Sequence, residues 1–580
     1  MATMNNELKK EKIVSALTLW RSYDTSATLE AETVSEGVSE NGRSAVASVR
    51  FYGRRTEDGA VRVFAKFAKP LSAQKCPAVL VLGEAGKETD GELLSYFADK
   101  GYAVLVPDYS GARETANEGE FTEYPESIAY ANYAQAKGLY DLAGVPSDQT
   151  CWYEWTYVAL YAIKYLKERE DITNIGIVGI RMGGEIAWKA MLSPDIACGV
   201  AVNAAGWLSS RGINKFADGA AINLTDERHR YMAGVDSQSY APFVKCPVLM
   251  LCALSDYSFD YDRAYDTYSR IGSNDQMENA IVYSLDSGSC IGAGGLLDMD
   301  IFLQKHLKGR EIFIPASLNI TVQEEKGALK VSVTSDDEAI AEEIGVCYSE
   351  ADVRVRSVYR EWQCVHKAVG AQAKSGKTEC TITPFSGCSA AYVYAYAKYL
   401  NGFKIVSKIV AKKFPKPDES AVKSRMIFSG DSVDCFSVAE HEDYSVAGIF
   451  LEQEATPKLL KGYGGIRGAY SVGGIKTYKI SSPRYVAGEG AMLEFDVYSK
   501  MNDRIVISVE VADDEGGVER YTCRLNVKGG GKWKRTVLEA KDFKSETWGR
   551  PLSAFADGSA LVFDCENEEN EYLVTNILWL

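Results

Sequence analysis

Short apolar runs alternate with helix-patterned segments along the first half of the chain. The runs are Ala78–Leu82, Tyr102–Val106, Ile175–Ile180, Cys198–Ala204, Pro247–Ala253 and Ala280–Leu285. Runs of this length that are apolar throughout are typical of strands buried on both faces of a mainly parallel sheet. The helix-patterned segments are Gly91–Lys100, Trp152–Glu170, Glu185–Leu192, Asp262–Ile271 and Gly295–Lys308. Repeated strand–helix units predict an α/β domain with helices on both faces of its sheet.

The pattern changes to an alternation of apolar and polar residues after about residue 312. Ser317–Val322 and Leu329–Val333 have the pattern of half-buried strands. Further along, Asn401 and Gly402 separate two more strand patterns, and this dipeptide favours the type I′ turn of a hairpin. The sequence therefore predicts a small β-sandwich, fibronectin- or immunoglobulin-like, over residues 313–412.

A second all-β segment follows a linker. Residues 413–425 contain Pro415, Pro417 and several charges, a composition typical of linkers. Six strand patterns then follow between residues 426 and 580, separated by glycine-rich and acidic turns: Met492–Tyr498, Ile505–Val511, Tyr521–Val527, Trp533–Leu538, Leu561–Cys565 and Tyr572–Leu580. This arrangement predicts a jelly roll or a similar sandwich.

The charge of the chain disfavours several classes of partner. A formal net charge of −16 repels phosphate backbones and anionic lipid, so we expect neither nucleic-acid nor membrane binding.

The 13 cysteines include no C-x-x-C pair, and the polar segment Met1–Lys12 does not resemble a signal peptide. Reduced thiols in a cytoplasmic protein fit this pattern. No cluster has metal-ligand spacing and no phosphate-binding motif occurs, so we predict no metal and no cofactor.

A glycine-rich turn connects one apolar run to the helix that follows it. The strand pattern Ile175–Ile180 leads into Gly179-Ile180-Arg181-Met182-Gly183-Gly184, which matches the strand–turn–helix context of a nucleophile elbow except at its central residue. The loop Gly83–Gly86 and the segments around residues 97–111 also match the motifs of α/β-hydrolases. Residues 1–312 thus resemble the α/β-hydrolase branch that contains acetylxylan esterases and dienelactone-hydrolase-like proteins, with a small cap insertion at about 207–240.

The resemblance implies a catalytic triad of serine, aspartate and histidine in that order. Arg181 occupies the position of the serine, and a guanidinium stays protonated and cannot attack a carbonyl. Asp256 matches the aspartate. The loop Asp286–Gly292, which should carry the histidine, contains Cys290 and no histidine. We therefore interpret Arg181, Asp256 and Cys290 as the positions of a degenerate triad.

Two roles remain open for the arginine. In the first role, Arg181 would form a structural ion-pair cluster with Glu84 and Asp256 in a former active site. Glu185 is a further candidate partner of the arginine. Alternatively, Arg181 would hold the carboxylate of a small ligand. The rival hypothesis is a carboxylic-ester hydrolase with a non-standard site, built on Asp256 with Cys290 as nucleophile or with His229 reaching in from the cap.

The last segment resembles the galactose-binding-like jelly rolls of carbohydrate-active enzymes. Its tryptophans are Trp533 and Trp579, which we expect in the core, and Trp548, which we expect to be exposed and able to stack on a sugar. The leading hypothesis is a non-catalytic protein on a hydrolase scaffold. It would bind a small acyl, carboxylate or carbohydrate ligand, or assemble with partners, a second copy of the chain included. The candidate binding residues are Glu84, Arg181, Met182, Asp256 and Trp548.

Overall fold

A nine-stranded sheet organises the first domain in the computed structural model. The structure describes residues 14–140, 145–219, 224–272, 278–285, 287–335, 340–353, 355–512 and 517–580. The strands are β1 (Glu32–Val38), β2 (Ser44–Thr56), β3 (Gly59–Pro70), β4 (Cys76–Leu82), β5 (Ala103–Pro107), β6 (Ile172–Ile180), β7 (Ile196–Val202), β8 (Val248–Ala253) and β9 (Ala280–Ser284). Their order is β1-β2-β3-β5-β4-β6-β7-β8-β9. All pairs from β5 to β9 are parallel, whereas β1, β2 and β3 pair antiparallel at one edge.

Helices cover both faces of this sheet. They are α1 (Ala16–Ser22), α2 (Gly91–Asp99), α3 (Cys151–Lys167), α4 (Met182–Ala190), α5 (Asp226–Gly234), α6 (Tyr261–Tyr268) and α7 (Gly295–Lys308). Successive residues of a strand point to opposite faces, so Leu80 packs in the same cluster as α3 and α4, while Val79 and Val81 pack in the cluster that contains α2 and α7. The predicted α/β class with a mostly parallel sheet is confirmed.

The antiparallel edge of the sheet is missing from the sequence prediction. β1 is exposed along its whole length, and β2 alternates between buried and half-buried residues. Neither strand therefore has the continuous apolar run that marks the buried parallel strands. The helix predicted to begin at Glu185 begins at Met182, directly after the turn that contains Arg181.

Antiparallel sheets make up the rest of the chain, as predicted. The middle region contains β10 (Asn319–Glu325), β11 (Ala328–Thr334), β12 (Ala341–Ala351), β13 (Gln363–Val369), the short α8 (Ala371–Lys374), β14 (Lys377–Ile382), β15 (Ala390–Tyr399), β16 (Lys404–Val406) and β17 (Val410–Lys413). One sheet has the order β10-β11-β14. The other has the order β13-β12-β15-β16, with β17 also paired to β15. The hydrophobic clusters on both faces of the first sheet continue into these strands.

The C-terminal region forms two further sheets around a separate core. Its strands are β18 (Met426–Phe428), β19 (Ser437–Val438), β20 (Ser445–Val446), β21 (Phe450–Leu451), β22 (Lys458–Lys461), β23 (Arg467–Tyr470), β24 (Ile475–Thr477), β25 (Leu493–Ser499), β26 (Asp503–Ala512), β27 (Val518–Val527), β28 (Lys532–Leu538), β29 (Lys544–Ser545), β30 (Ala560–Cys565) and β31 (Tyr572–Trp579). The orders are β22-β23-β31-β25-β28, with β18 on β31, and β19-β24-β30-β26-β27-β29. β20 and β21 form a small separate hairpin.

Two of the three C-terminal tryptophans lie where we expected them. Trp579 is 3% exposed in the core, and Trp548 is 68% exposed in the loop after β29. The prediction for Trp533 is wrong. Its indole is half-buried against Gly462 and Gly468 and donates a hydrogen bond to the carbonyl of Tyr463 at 3.1 Å.

Both β regions contact the first domain through polar as well as apolar groups. Arg360 of the middle region is fully buried and forms an ion pair with Asp262 of α6 at 2.7 Å. From the C-terminal region, Phe450 forms a parallel β-bridge with Ile291, in the loop between β9 and α7. None of the helices in the described ranges combines the length and the apolar character needed to cross a bilayer.

Candidate active site

The turn between β6 and α4 is strained. Arg181 has φ 48° and ψ −112°, a backbone region that costs a non-glycine residue on the order of 1–3 kcal/mol. Its N–H donates to the carbonyl of Val202 at 2.8 Å. Two glycines allow the turn, because a Cβ on Gly179 would collide with the carbonyl of Gly183, and a Cβ on Gly183 with the carbonyl of Leu82. The turn therefore holds Arg181 at the carboxyl edge of the parallel sheet.

Asp256 is the nearest partner of this arginine. It lies in the loop after β8, with its side chain 3% exposed, and its Oδ2 accepts a hydrogen bond from Arg181 Nε at 3.2 Å. The same oxygen accepts from Asn203 Nδ2 at 2.9 Å. Oδ1 accepts from the backbone N–H of Ser258 at 2.8 Å and from its hydroxyl at 2.5 Å. Four donors therefore converge on a carboxylate that is almost completely removed from water.

Glu84 is the second carboxyl group beside the arginine. It lies in the loop after β4, and its Oε2 is 3.8 Å from Arg181 Nη1. Burial raises the pKa of Glu84 to about 7, with Arg181 opposing the rise and Asp256 adding to it. Because the pKa of Glu84 is raised and Asp256 lies closer to the guanidinium, Asp256 is the principal counter-charge of Arg181.

The guanidinium of Arg181 keeps donors that the cluster does not use. Although burial disfavours the charged form, Asp256 and Glu84 raise the pKa of Arg181 above its ordinary value. Within the described residues, neither Nη1 nor Nη2 makes a hydrogen bond, and the side chain is 27% exposed. The group is therefore a permanent cation whose Nη1 lies within ion-pair distance of Glu84, while neither Nη makes a hydrogen bond to the described residues.

The loop between β9 and α7 packs against the C-terminal region. Cys290 is completely buried in a hydrophobic cluster with Val438, Leu451 and Ala455. Its Sγ lies 3.9 Å from the carbonyl of Gly448. Burial raises the pKa of Cys290 to about 12, although Arg181 acts in the opposite direction. The side chain is therefore a protonated thiol at neutral pH and a poor nucleophile.

A histidine does reach this loop, from a distant part of the chain. His441 lies just before the β20–β21 hairpin, and its Nε2 is 2.7 Å from Ser289 Oγ, a hydrogen-bonding distance. Burial lowers the pKa of His441, and Arg181 lowers it further, so the imidazole is neutral at pH 7. Sequence reasoning missed this contact, because 152 residues separate the two side chains and no local pattern links them.

Comparison with known proteins identifies the first domain. Residues 63–284 match the family described as the dienelactone hydrolase family. The first domain is an α/β-hydrolase domain. The match ends at the last residue of β9, so it includes the positions of Glu84, Arg181 and Asp256 but not the loop that carries Cys290. No functionally curated protein matches the chain significantly.

Solved structures of esterases resemble about half of the chain. An acetyl xylan esterase from Paenibacillus sp. R4 is 15% identical, with a TM-score of 0.38, covering 50% of this chain and 92% of that one. Acetyl xylan esterase 1 from Thermoanaerobacterium sp. JW/SL YS485 is 18% identical, with a TM-score of 0.39, covering 50% and 90%. A glucuronoyl esterase from Solibacter usitatus is 13% identical, with a TM-score of 0.30, covering 44% and 78%.

The α/β-hydrolase domain brings together most of the predicted site residues. Glu84, Arg181, Asp256 and the loop of Cys290 lie at one edge of its sheet. Met182 follows Arg181 and packs half-buried against the core. Trp548 belongs to the C-terminal region and takes no part in this cluster.

Glu185 and His229, which the sequence suggested as further members of the site, do not join the Arg181 cluster. Glu185 does not pair with Arg181, because its carboxylate accepts hydrogen bonds from the backbone of Ala205 and the hydroxyl of Ser237. His229 is exposed on α5, as expected for a solvated helix position.

Proposed function

We propose that this protein is an α/β-hydrolase-fold protein without serine-triad catalysis, and that Arg181 binds a small carboxylate ligand. One observation carries the proposal: the residue at the strained elbow is a guanidinium that uses Nε to bind Asp256 and leaves both Nη groups without a hydrogen bond in the described residues. A guanidinium supplies no nucleophile, but its planar N–H groups fit a carboxylate in a bidentate pair.

Glu84 adjusts the affinity of such a site. A protonated Glu84 does not repel an incoming anion, whereas an ionised Glu84 competes with it for the guanidinium. Because burial raises the pKa of Glu84 to about 7, the site favours an anion at lower pH. We therefore expect carboxylate binding to weaken as the pH rises through about 7.

Thermal melts with small carboxylates test this proposal. Acetate and succinate should raise the melting temperature of the wild-type protein, and Arg181→Met should abolish this effect because the anion loses its cation. Arg169→Met is the matched control, since Arg169 is similarly exposed (30%) and binds Asp171 through Nε at 3.0 Å. An effect of carboxylates that persists in Arg181→Met, or that Arg169→Met also removes, would contradict the assignment.

A second candidate function is ester hydrolysis by another serine. Ser289 Oγ lies 2.7 Å from the neutral imidazole of His441, and Arg181 lies close enough to lower the pKa of that imidazole. A serine beside a neutral histidine is the minimal pair for nucleophilic catalysis, with Arg181 available for a developing oxyanion. Hydrolysis of p-nitrophenyl acetate that disappears in both Ser289→Ala and His441→Gln would favour this function. Cys290 is a weaker nucleophile for the same reaction because it is buried and protonated.

Three further expectations stay predictions. They are a cytoplasmic location, assembly through the β regions or with a second copy of the chain, and sugar stacking on Trp548. The exposed indole of Trp548 supports the last of these, because a sugar can reach its face. Retention of the wild-type protein, but not of Trp548→Ala, on an immobilised polysaccharide would support it.

A further inference from the structure

A cavity of about 440 Å³ lies where the three regions of the chain meet. Its walls come from the end of β9 and the start of α7, from the middle region, and from Asp434 and Thr456 of the C-terminal region. Two cysteines of the middle region, Cys347 and Cys364, also line it. This cavity is distinct from the Arg181 cluster, and the proposed carboxylate site makes no use of it.

The two cysteines lie opposite each other on paired strands. Cys347 of β12 and Cys364 of β13 are direct partners in the antiparallel register, beside a β-bulge. Opposed residues of an antiparallel pair have Cα atoms roughly 4.5–5.5 Å apart, within the range of about 4.4–6.8 Å that a disulfide requires. All cysteines in the chain are free thiols in this structure. The strand register therefore places this pair within the range of Cα separations that a disulfide requires.

The surroundings make the two thiols unequal. Cys364 is half-buried, and its pKa is lowered mainly because its thiolate accepts a hydrogen bond from Cys347; Lys367 acts in the same direction. The Sγ of Cys364 lies 3.9 Å from the hydroxyl oxygen of Tyr396. Cys347 is completely buried, and burial raises its pKa. Cys364 has the properties of an attacking thiolate and Cys347 those of a resolving thiol.

We propose that Cys364 and Cys347 form a redox-active dithiol that low-molecular-weight disulfides oxidise within this cavity. The Cys364 thiolate attacks one sulfur of the disulfide R–S–S–R, forms a mixed disulfide and releases RS⁻. Cys347 then gives its proton to the released RS⁻ and attacks Cys364 Sγ, which releases the second RS⁻; this ion takes up from solvent the proton that Cys364 lost on ionising. The protein gains one disulfide while R–S–S–R is reduced to two thiols. The lining carries three lysines and three carboxyl groups, so its charge does not select the sign of the disulfide's substituents: Lys367, Lys398, Lys404, Asp298, Glu343 and Asp434.

Glutathione disulfide is a suitable probe, because it is a low-molecular-weight disulfide. After incubation of the full-length protein, peptide mass spectrometry should detect a cross-link between Cys347 and Cys364. Cys347→Ala should instead accumulate a glutathione adduct on Cys364, because the resolving thiol is absent. In Cys364→Ser, Cys347 should remain unmodified, because it is buried and its thiol is protonated. The wild-type cross-link tests the proposal even where a variant fails to fold.

Cys523 is the internal control. It is half-buried on β27 like Cys364, but burial raises its pKa. Cys364 should therefore react roughly tenfold faster than Cys523, or more, near neutral pH. Equal rates at the two cysteines, a stable wild-type adduct without a cross-link, or a cross-link from Cys364 to Cys380 would each overturn the proposal.

Discussion

Replacing Glu84 by glutamine should remove a pH-dependent loss of stability. Burial in the folded hydrolase domain raises the pKa of Glu84 from the ordinary value of 4.5 to about 7. The folded state therefore binds the proton more tightly than the unfolded state between these values. The stabilisation that the protonated Glu84 gives the folded state is fully present below pH 4.5. It is lost as the pH rises to about 7. Glutamine keeps the shape of the side chain but cannot ionise.

The expected magnitude follows from the same two values. At 1.36 kcal/mol for each pH unit, the difference between 4.5 and about 7 corresponds to about 3 kcal/mol. The Glu84 side chain is 22% exposed, so solvent screens part of this cost, and a loss of about 2–3 kcal/mol is expected. Between low and high pH, the free energy of unfolding of the wild type should fall by this amount more than that of Glu84→Gln. For a domain of this size the difference corresponds to roughly 4–12 °C in melting temperature.

Differential scanning calorimetry at about pH 5 and about pH 8 provides the measurement, because it resolves domains that unfold separately. The quantity to compare is the change, between the two pH values, in the midpoint of the transition in which the hydrolase domain unfolds, alone or together with the middle region that shares its core. Glu123→Gln is the control, since its side chain is 49% exposed and pairs with Arg50 at the surface. An identical pH dependence in wild type and Glu84→Gln would refute the reasoning, as would an equal effect of Glu123→Gln.

The remaining predictions concern the elbow and the exposed tryptophan. Arg181→Met should lower the free energy of unfolding by about 1.5–3 kcal/mol in urea titrations, because Asp256 loses one charge-assisted hydrogen bond. An unchanged urea midpoint would show that the other donors to Asp256 are enough to stabilise its buried carboxylate. Arg181→Ser alone should hydrolyse p-nitrophenyl acetate no faster than wild type, because the imidazole of His441 is engaged by Ser289. A gain over wild type that persists when Ser289→Ala is added would show that His441 can serve the elbow. Trp548→Ala should change stability by less than about 0.5 kcal/mol, because the side chain is 68% exposed, and a larger loss would reveal a structural role.

The sequence predicts the central strands better than the edge of the sheet. Buried parallel strands such as β4 and β8 are marked by apolar residues at nearly every position. β1, by contrast, is exposed throughout, and its pairing with β2 depends on backbone hydrogen bonds that side-chain patterns do not reveal. A pattern of apolar residues reports burial, so it predicts strands only where a strand is buried.

The same distinction applies to the candidate site. The proximity of Glu84, Arg181 and Asp256 can be predicted, because all three follow strands of one parallel sheet and the carboxyl ends of such strands meet at one edge. The contact of His441 with Ser289 depends on how the C-terminal region docks. The pairing of Cys347 with Cys364 depends on strand register beside a bulge. Neither docking nor register is encoded in a local spacing.

The docking of the C-terminal region bears directly on whether a triad can be rebuilt. The loop that would carry the catalytic histidine exchanges backbone hydrogen bonds with that region, from Ile291 N–H to the carbonyl of Ile449 at 2.8 Å and from Leu451 N–H to the carbonyl of Ile291 at 2.9 Å. Cys290 is fully buried between them. A histidine at residue 290 would replace a small side chain in this cluster, and overpacking a core typically costs about 1–3 kcal/mol. A double variant with serine at residue 181 and histidine at residue 290 would therefore weaken the packing of the C-terminal region against this loop, because of the histidine. The arginine at the elbow and the packing of this loop are consistent with one another, because a domain that does not need a mobile, solvated histidine can use the same loop as an interface.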